Sequence, residues 1–92
     1  MDFKELAKPY FADLEKHLIE FCSIDSSYDS STISDYAPYG IGVNNALNYI
    51  GDLAKKCHYE TKNIDGRCVE ITIGKGKKLI SIFAHADVVP AS

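Results

Sequence analysis

The sequence predicts an α/β fold in which two helices pack on part of a mixed β-sheet. Two stretches in the first half of the chain place apolar residues three or four positions apart, the spacing of one helical face. In the second half, apolar residues alternate with polar ones, which is typical of β-strands. A length of 92 residues is sufficient for one small domain and too short for two. The pattern therefore indicates a single α/β unit.

The first helix is predicted over residues 3–21. Pro9 lacks an amide hydrogen, so the helix is expected to kink there or to restart in a new first turn, and Asp2 can cap its beginning. The segment that follows, residues 22–32, is rich in side chains that compete for backbone hydrogen bonds, which predicts a surface loop. The residues that define the apolar face of this helix are Leu6, Tyr10, Leu14, Leu18 and Phe21.

The second helix is predicted from an apolar stripe between Val43 and Cys57, after a segment that contains Pro38, Gly40 and Gly42. Gly51 lies inside this stripe, where glycine costs about 1 kcal/mol relative to alanine. A close packing contact at Gly51 would explain the missing side chain.

Three strands are predicted after the second helix. Residues 59–63 form the first, Asp65 and Gly66 form a hairpin turn, and residues 68–73 alternate as the second. Residues 79–84 are almost continuously apolar, which predicts a strand covered on both faces of a sheet. Two helices and a hairpin supply about one covering layer, so we expect further polypeptide to complete the sheet.

Composition excludes several classes of function. Ten basic and thirteen acidic residues give a net charge of −3, so nucleic acid is not an expected partner. No apolar run is long enough to span a membrane, and acidic residues occupy the start of the chain where an export signal would carry basic ones. The odd number of cysteines (Cys22, Cys57 and Cys68) indicates small core side chains in a reducing cytoplasm rather than a disulfide framework.

A histidine and an aspartate, His85 and Asp87, follow the predicted buried strand directly. Open α/β sheets bind ligands at the carboxyl ends of their strands. A metal-bound imidazole usually donates its second N–H to an acceptor such as a carboxylate, and residues two apart in an extended chain point to the same side. The pair is therefore a candidate metal ligand with its orienting carboxylate. The alternative is a surface turn in which Asp87 accepts backbone amides and His85 is solvated.

Four separated segments carry a resemblance that is more specific than this spacing. They are residues 2–7 (DFKELA), 37–43 with 46–49 (APYGIGV and ALNY), 61–66 (TKNIDG) and 85–90 (HADVVP). In this order they resemble the amino-terminal part of dipeptidases of the peptidase V (PepV) type, within the aminoacylase and carnosinase superfamily of zinc exopeptidases. The resemblance covers nearly the whole chain, and its last segment matches the first metal motif of that family.

The resemblance implies that residues 1–92 are the N-terminal part of a di-zinc catalytic domain, with the lid domain and the rest of the catalytic domain absent. His85 would bind one of two zinc ions, and Asp87 would act in catalysis by orienting the imidazole. The bridging Asp, the general-base Glu and the remaining ligands would come from downstream sequence. Two departures from the family pattern are Ala84, where Gly is common, and Asp25, where Pro is frequent.

The function expected from this resemblance is hydrolysis of short peptides by a metal-activated water. With one metal ligand, the isolated 92-residue chain is expected to be inactive. Two alternatives remain open. The intact protein could be an N-acyl amino acid deacylase of the same superfamily, or the chain could be a non-catalytic interaction module whose contacts are made by Tyr28, Tyr36 and Tyr39.

Overall fold

The computed structural model describes residues 2–90 and confirms the α/β class. Helical segments occupy the first part of the chain, and a two-stranded antiparallel sheet follows them. The helices are α1 (Phe3–Ala7), α2 (Phe11–Cys22) and α3 (Ile41–Lys56), the strands are β1 (Glu60–Ile64) and β2 (Cys68–Thr72), and short 3-10 turns occupy Lys8–Tyr10 and Ser30–Thr32.

The predicted first helix is divided at Pro9, as its missing amide hydrogen requires. The Asp2 carboxylate caps α1 by accepting from the backbone N–H of Lys4 at 3.0 Å, and the 3-10 turn that contains Pro9 separates α1 from α2. The apolar stripe of this region is largely exposed, since Leu6, Tyr10, Leu14 and Leu18 are all more than half accessible. Helical periodicity was therefore sufficient to predict the helices, while these four residues of the stripe have no covering element within residues 2–90.

The α2 and α3 helices meet through aromatic and hydrogen-bonded contacts. The rings of Phe21 and Tyr49 lie 6.0 Å apart between centroids. The Tyr49 hydroxyl donates to Oε2 of Glu20 at 2.6 Å and also faces the main-chain oxygen of His17 at 3.3 Å. The hydrogen bond to the Glu20 carboxylate raises the pKa of Tyr49 to about 12 and lowers the pKa of Glu20. This contact joins the two helices near their exposed edge.

The small core lies along α3, which packs on the β1–β2 hairpin. Its buried apolar residues are Ala37, Val43, Ala46, Leu47 and Ala54. Gly51 is buried in the same helix, but an added Cβ would lie 3.7 Å from Cγ2 of Thr61 and 3.9 Å from Cγ1 of Val69. These are ordinary van der Waals distances, so the close contact predicted for Gly51 is wrong and the site has room for a methyl group.

The β1–β2 hairpin has the predicted turn. Asp65 and Gly66 both adopt positive φ angles, 56° and 71°, which an Asp-Gly pair favours in tight hairpins. The Asn63 side-chain oxygen accepts the Gly66 amide hydrogen at 2.7 Å, and the strands pair from Glu60 with Thr72 to Ile64 with Cys68. Local sequence was sufficient here because the turn and both strands are adjacent in the chain.

The predicted buried strand over residues 79–84 is wrong for this chain. In the described part of the molecule these residues belong to no strand, and the side chains of Leu79, Ile80, Ile82 and Phe83 are 85–92% exposed. A strand forms only when a neighbour accepts its backbone hydrogen bonds, and no strand of residues 2–90 lies beside this segment. The sheet formed by β1 and β2 is accordingly antiparallel and not mixed.

The cysteines also differ from expectation. Cys22, Cys57 and Cys68 are free and exposed, so their predicted burial in a core is wrong. Cys22 ends α2 and Cys57 caps the end of α3. Between residues 2 and 90, none of the helices is long and apolar enough to cross a bilayer.

Candidate functional site

His85 and Asp87 lie together in the extended segment that follows residues 79–84. Nδ1 of His85 is 3.0 Å from the main-chain oxygen of Asp87 and 3.6 Å from its carboxylate oxygen Oδ1. The shorter contact is a hydrogen bond, whereas the carboxylate lies at ion-pair distance. The structure thus brings the two predicted site residues together, and the main chain of Asp87 is the nearer acceptor.

This geometry assigns a role to each ring nitrogen of His85. With Nδ1–H donating to the Asp87 carbonyl, Nε2 carries the lone pair and is free to bind a cation. The His85 side chain is 84% exposed, so Nε2 is accessible. A neutral imidazole with one nitrogen held and the other free is the form that a zinc ion binds.

Among residues 2–90, His85 is suited to bind a zinc ion, but it supplies only one ligand. Among residues 2–90, no group of three or more His, Cys, Asp or Glu side chains is arranged to hold a metal ion. Catalytic zinc sites generally use about three protein ligands. Within residues 2–90, His85 thus fits a metal ion as a single ligand.

A loop distant in sequence holds the segment that carries His85. The Val88 amide donates to the main-chain oxygen of Ser26 at 3.2 Å, and Ser27 pairs with Val88 in a single parallel bridge. Ser26 is 3% exposed. The Asp25 carboxylate accepts from both the hydroxyl of Ser27, at 2.5 Å, and its amide, at 3.2 Å, and these bonds lower the pKa of Asp25.

Sequence reasoning identified the Ser-rich segment as a surface loop and missed this contact. Ser26 and Val88 are 62 positions apart in the chain, and a backbone hydrogen bond between them leaves no local signal. The departure at Asp25 also has more consequence than its loop position indicated, because its side chain shapes the turn that meets the His85 segment.

An open cleft of about 720 Å³ adjoins His85. One side consists of apolar side chains from α3 and the hairpin, and residues 84–87 form another part of the wall. The Arg67 guanidinium lies over the Tyr39 ring, 5.8 Å from its centroid, and Nη1 of Arg67 donates to the Tyr39 hydroxyl at 3.3 Å. The cleft therefore combines an apolar wall with one cationic group. The apolar residues from α3 and the hairpin are Val43, Leu47, Ile50, Val69 and Ile71.

The tyrosines considered for an interaction surface do not form one uniform patch. Tyr28 and Tyr39 line the cleft beside His85, whereas Tyr36 is not part of its lining. Tyr36 and Tyr28 are well exposed, and Tyr39 is engaged with Arg67. Two of the three therefore belong to the same region as the candidate metal ligand.

Comparison with known proteins gives similarity over most of the chain. No protein-family model matches it. A protein named Putative dipeptidase YtjP, from Bacillus subtilis (strain 168), is 38% identical over 78 residues, which is 85% of this chain and 17% of that protein. Putative dipeptidase SH1171 from Staphylococcus haemolyticus (strain JCSC1435) is 34% identical over 89 residues, 97% of this chain and 19% of that protein.

A third relative carries a more specific name. The Beta-Ala-Xaa dipeptidase of Lactobacillus delbrueckii subsp. lactis is 34% identical over 91 residues, 99% of this chain and 19% of that protein. The chain thus spans about a fifth of the length of the curated relatives that it matches. Over that length, this chain is a homologue of proteins named as dipeptidases.

Proposed function

We propose that this chain is part of the catalytic domain of a cytoplasmic, zinc-dependent dipeptidase of the peptidase V type, which hydrolyses short peptides. One observation carries the proposal: within residues 2–90, the His85 imidazole is held at Nδ1 and has no hydrogen bond at Nε2, in a chain that aligns with named dipeptidases. The three exposed thiols are compatible with a reducing compartment.

His85 would hold one of two zinc ions through Nε2. A zinc ion bound there would polarise the scissile carbonyl and lower the pKa of a bound water. The Asp87 main-chain oxygen would keep the proton on Nδ1, and its carboxylate oxygen, 3.6 Å from the same nitrogen, would help to orient the ring. Asp87 would thus assist catalysis by orienting His85. The general base and the other metal ligands would come from polypeptide beyond these residues.

The exposed apolar surfaces support a larger catalytic domain as the partner of this chain. Leu79, Ile80, Ile82 and Phe83 form an apolar stretch, interrupted by Ser81, that is almost fully accessible. Exposed patches of this kind generally mark surfaces that other protein covers. We propose that the remainder of the catalytic domain pairs with this stretch and forms a sheet around it, which would bring further ligands to His85.

The test uses the intact protein, stripped of metal with a chelator and then reloaded with zinc. Dipeptide hydrolysis should disappear on stripping and return on reloading, and His85→Ala should not be restored. The isolated 92-residue chain should have no activity. Zinc-dependent hydrolysis by that isolated chain would contradict the division of ligands proposed above.

The same preparation distinguishes the alternatives. Faster hydrolysis of an N-acyl amino acid than of a dipeptide would replace the dipeptidase with a deacylase that uses the same ligand. Absence of both activities and of zinc binding, in an intact protein that unfolds cooperatively, would favour an interaction module.

A further inference from the structure

We propose that Gly42 is a positioning residue for the candidate metal ligand His85. The proposal rests on the function proposed above and adds a residue to it. Gly42 is in the first turn of α3, far from residues 85–87 in sequence, and acts through the loop that contains Asp25 and Ser26. Its role is to let that loop approach the helix closely enough to reach Val88.

The first step is the contact between Gly42 and the loop. A Cβ atom at Gly42 would overlap the carbonyl oxygen of Asp25, and it would lie 3.1 Å from the Asp25 carbonyl carbon and 3.7 Å from Cα of Ser26. The neighbouring atoms belong to the backbone and not to the end of a movable side chain. The loop can keep this position only if residue 42 has no side chain.

The second step leads from the loop to the His85 segment. The main-chain oxygen of Ser26, the residue after Asp25, accepts the Val88 amide at 3.2 Å. Val88 in turn follows Asp87, whose main-chain oxygen accepts from Nδ1 of His85. Displacement of the loop by a side chain at residue 42 would therefore move or break the backbone hydrogen bond that Val88 donates to Ser26.

The expected size of the effect follows from the role of such supporting contacts. Loss of a group that orients a metal-binding histidine typically lowers metal affinity by about 10- to 100-fold. Gly42 acts through two intervening contacts, so Gly42→Ala should raise the zinc dissociation constant by about tenfold, near the lower end of that range.

The chain offers a matched control in Gly51. Gly42 and Gly51 both lie in α3, and replacement by alanine raises helix propensity at either position. An added Cβ at Gly51 meets only side-chain methyl groups, at 3.7 Å or more. Gly51→Ala should therefore leave zinc affinity unchanged, which separates the contact with the loop from a general effect of alanine in the helix.

A second pair of variants keeps the proposal testable if Gly42→Ala does not fold. Asp25→Ala removes the acceptor of two hydrogen bonds from Ser27 without adding bulk, so it should loosen the same loop. Asp25→Asn retains a side-chain oxygen at that position and should restore most of the zinc affinity.

The experiment measures two quantities on the intact protein: zinc affinity by competition with a chromophoric chelator, and amide hydrogen exchange at Val88. Gly42→Ala and Asp25→Ala should weaken zinc binding and accelerate Val88 exchange roughly tenfold, whereas Gly51→Ala and Asp25→Asn should resemble the wild type. Unchanged exchange and affinity in a folded Gly42→Ala protein, or in Asp25→Ala, would overturn the proposal.

The exchange measurement also separates this proposal from the dipeptidase function. If the wild-type protein binds no zinc, the proposed function fails and Val88 exchange alone decides the role of Gly42. If the wild type binds zinc and both Gly42→Ala and Asp25→Ala behave like the wild type, the function stands and the positioning role is wrong.

Discussion

Replacement of Asp87 by alanine distinguishes the contributions of the two oxygen atoms that face the imidazole of His85. The substitution removes the carboxylate, 3.6 Å from Nδ1, and leaves the main-chain oxygen, 3.0 Å from the same nitrogen. Because the nearer acceptor remains, the tautomer with a free Nε2 should persist. Asp87→Ala therefore tests how much the charged group adds to an imidazole that the main chain already orients.

The magnitude follows from this division of contacts. Removal of an orienting partner typically lowers metal affinity by about 10- to 100-fold. Since one of the two acceptors survives, Asp87→Ala in the intact protein should raise the zinc dissociation constant by only about tenfold. His85→Ala removes the ligand itself and should cause a larger loss than the orienting residue does.

Zinc affinity by chelator competition and the ¹⁵N chemical shifts of the His85 ring are the measurements. Asp87→Asn is the control, because it keeps an oxygen acceptor of similar size without the charge. If charge supports the imidazole, Asn should behave as Ala does. A loss in Asp87→Ala as large as that in His85→Ala, or a proton shifted from Nδ1 to Nε2, would refute the argument that the main-chain oxygen is the dominant acceptor.

Three further predictions concern stability. Gly51→Ala should raise the free energy of unfolding in urea by about 1 kcal/mol, because alanine is the better helix former and its methyl group fits; a decrease would show that the site is sterically closed. The Tyr49 pKa is raised from 10.0 to about 12, so the stability from its bond to Glu20 is present below pH 10 and lost between pH 10 and about pH 12. The lowered pKa of Glu20 makes its contribution present above pH 4.5 and lost as the pH falls through that lowered value. Thermal melts of Tyr49→Phe should therefore lose both the acidic and the alkaline component, and an unchanged pH profile would contradict the assignment. Gly66→Ala should destabilise more than Gly74→Ala, since both have positive φ but only Gly66 would clash with neighbouring backbone; equal losses in urea unfolding would show that backbone conformation alone sets the cost.

Local elements were predictable because their causes are local. Apolar residues at helical spacing located the helices, Pro9 located the break between α1 and α2, and Asp65 with Gly66 located the hairpin turn. In each case the deciding interactions join residues a few positions apart. The pairing of His85 with Asp87 belongs to the same group, since residues two positions apart can meet without any other part of the chain.

Burial was much less predictable. The apolar character of residues 79–84 indicated a covered strand, yet Phe83 and its neighbours are exposed. Apolar side chains are more stable when removed from water, but they become buried only where another surface covers them. The cysteines were misassigned for the same reason, because Cys68 faces the open cleft where few described residues cover it.

The sequence by itself determined the helices and the hairpin, because short-range backbone preferences decide those features. It also supplied His85 as a candidate metal ligand, through its spacing from Asp87 and the resemblance of its segment to a metal motif. Only the tertiary structure decided that the Ser-rich loop lies on Gly42 and accepts the Val88 amide through Ser26. The physical reason is that a hydrogen bond between two main-chain groups carries no side-chain signature. Its existence depends on the path of the whole intervening chain and on a glycine that leaves space for the approach.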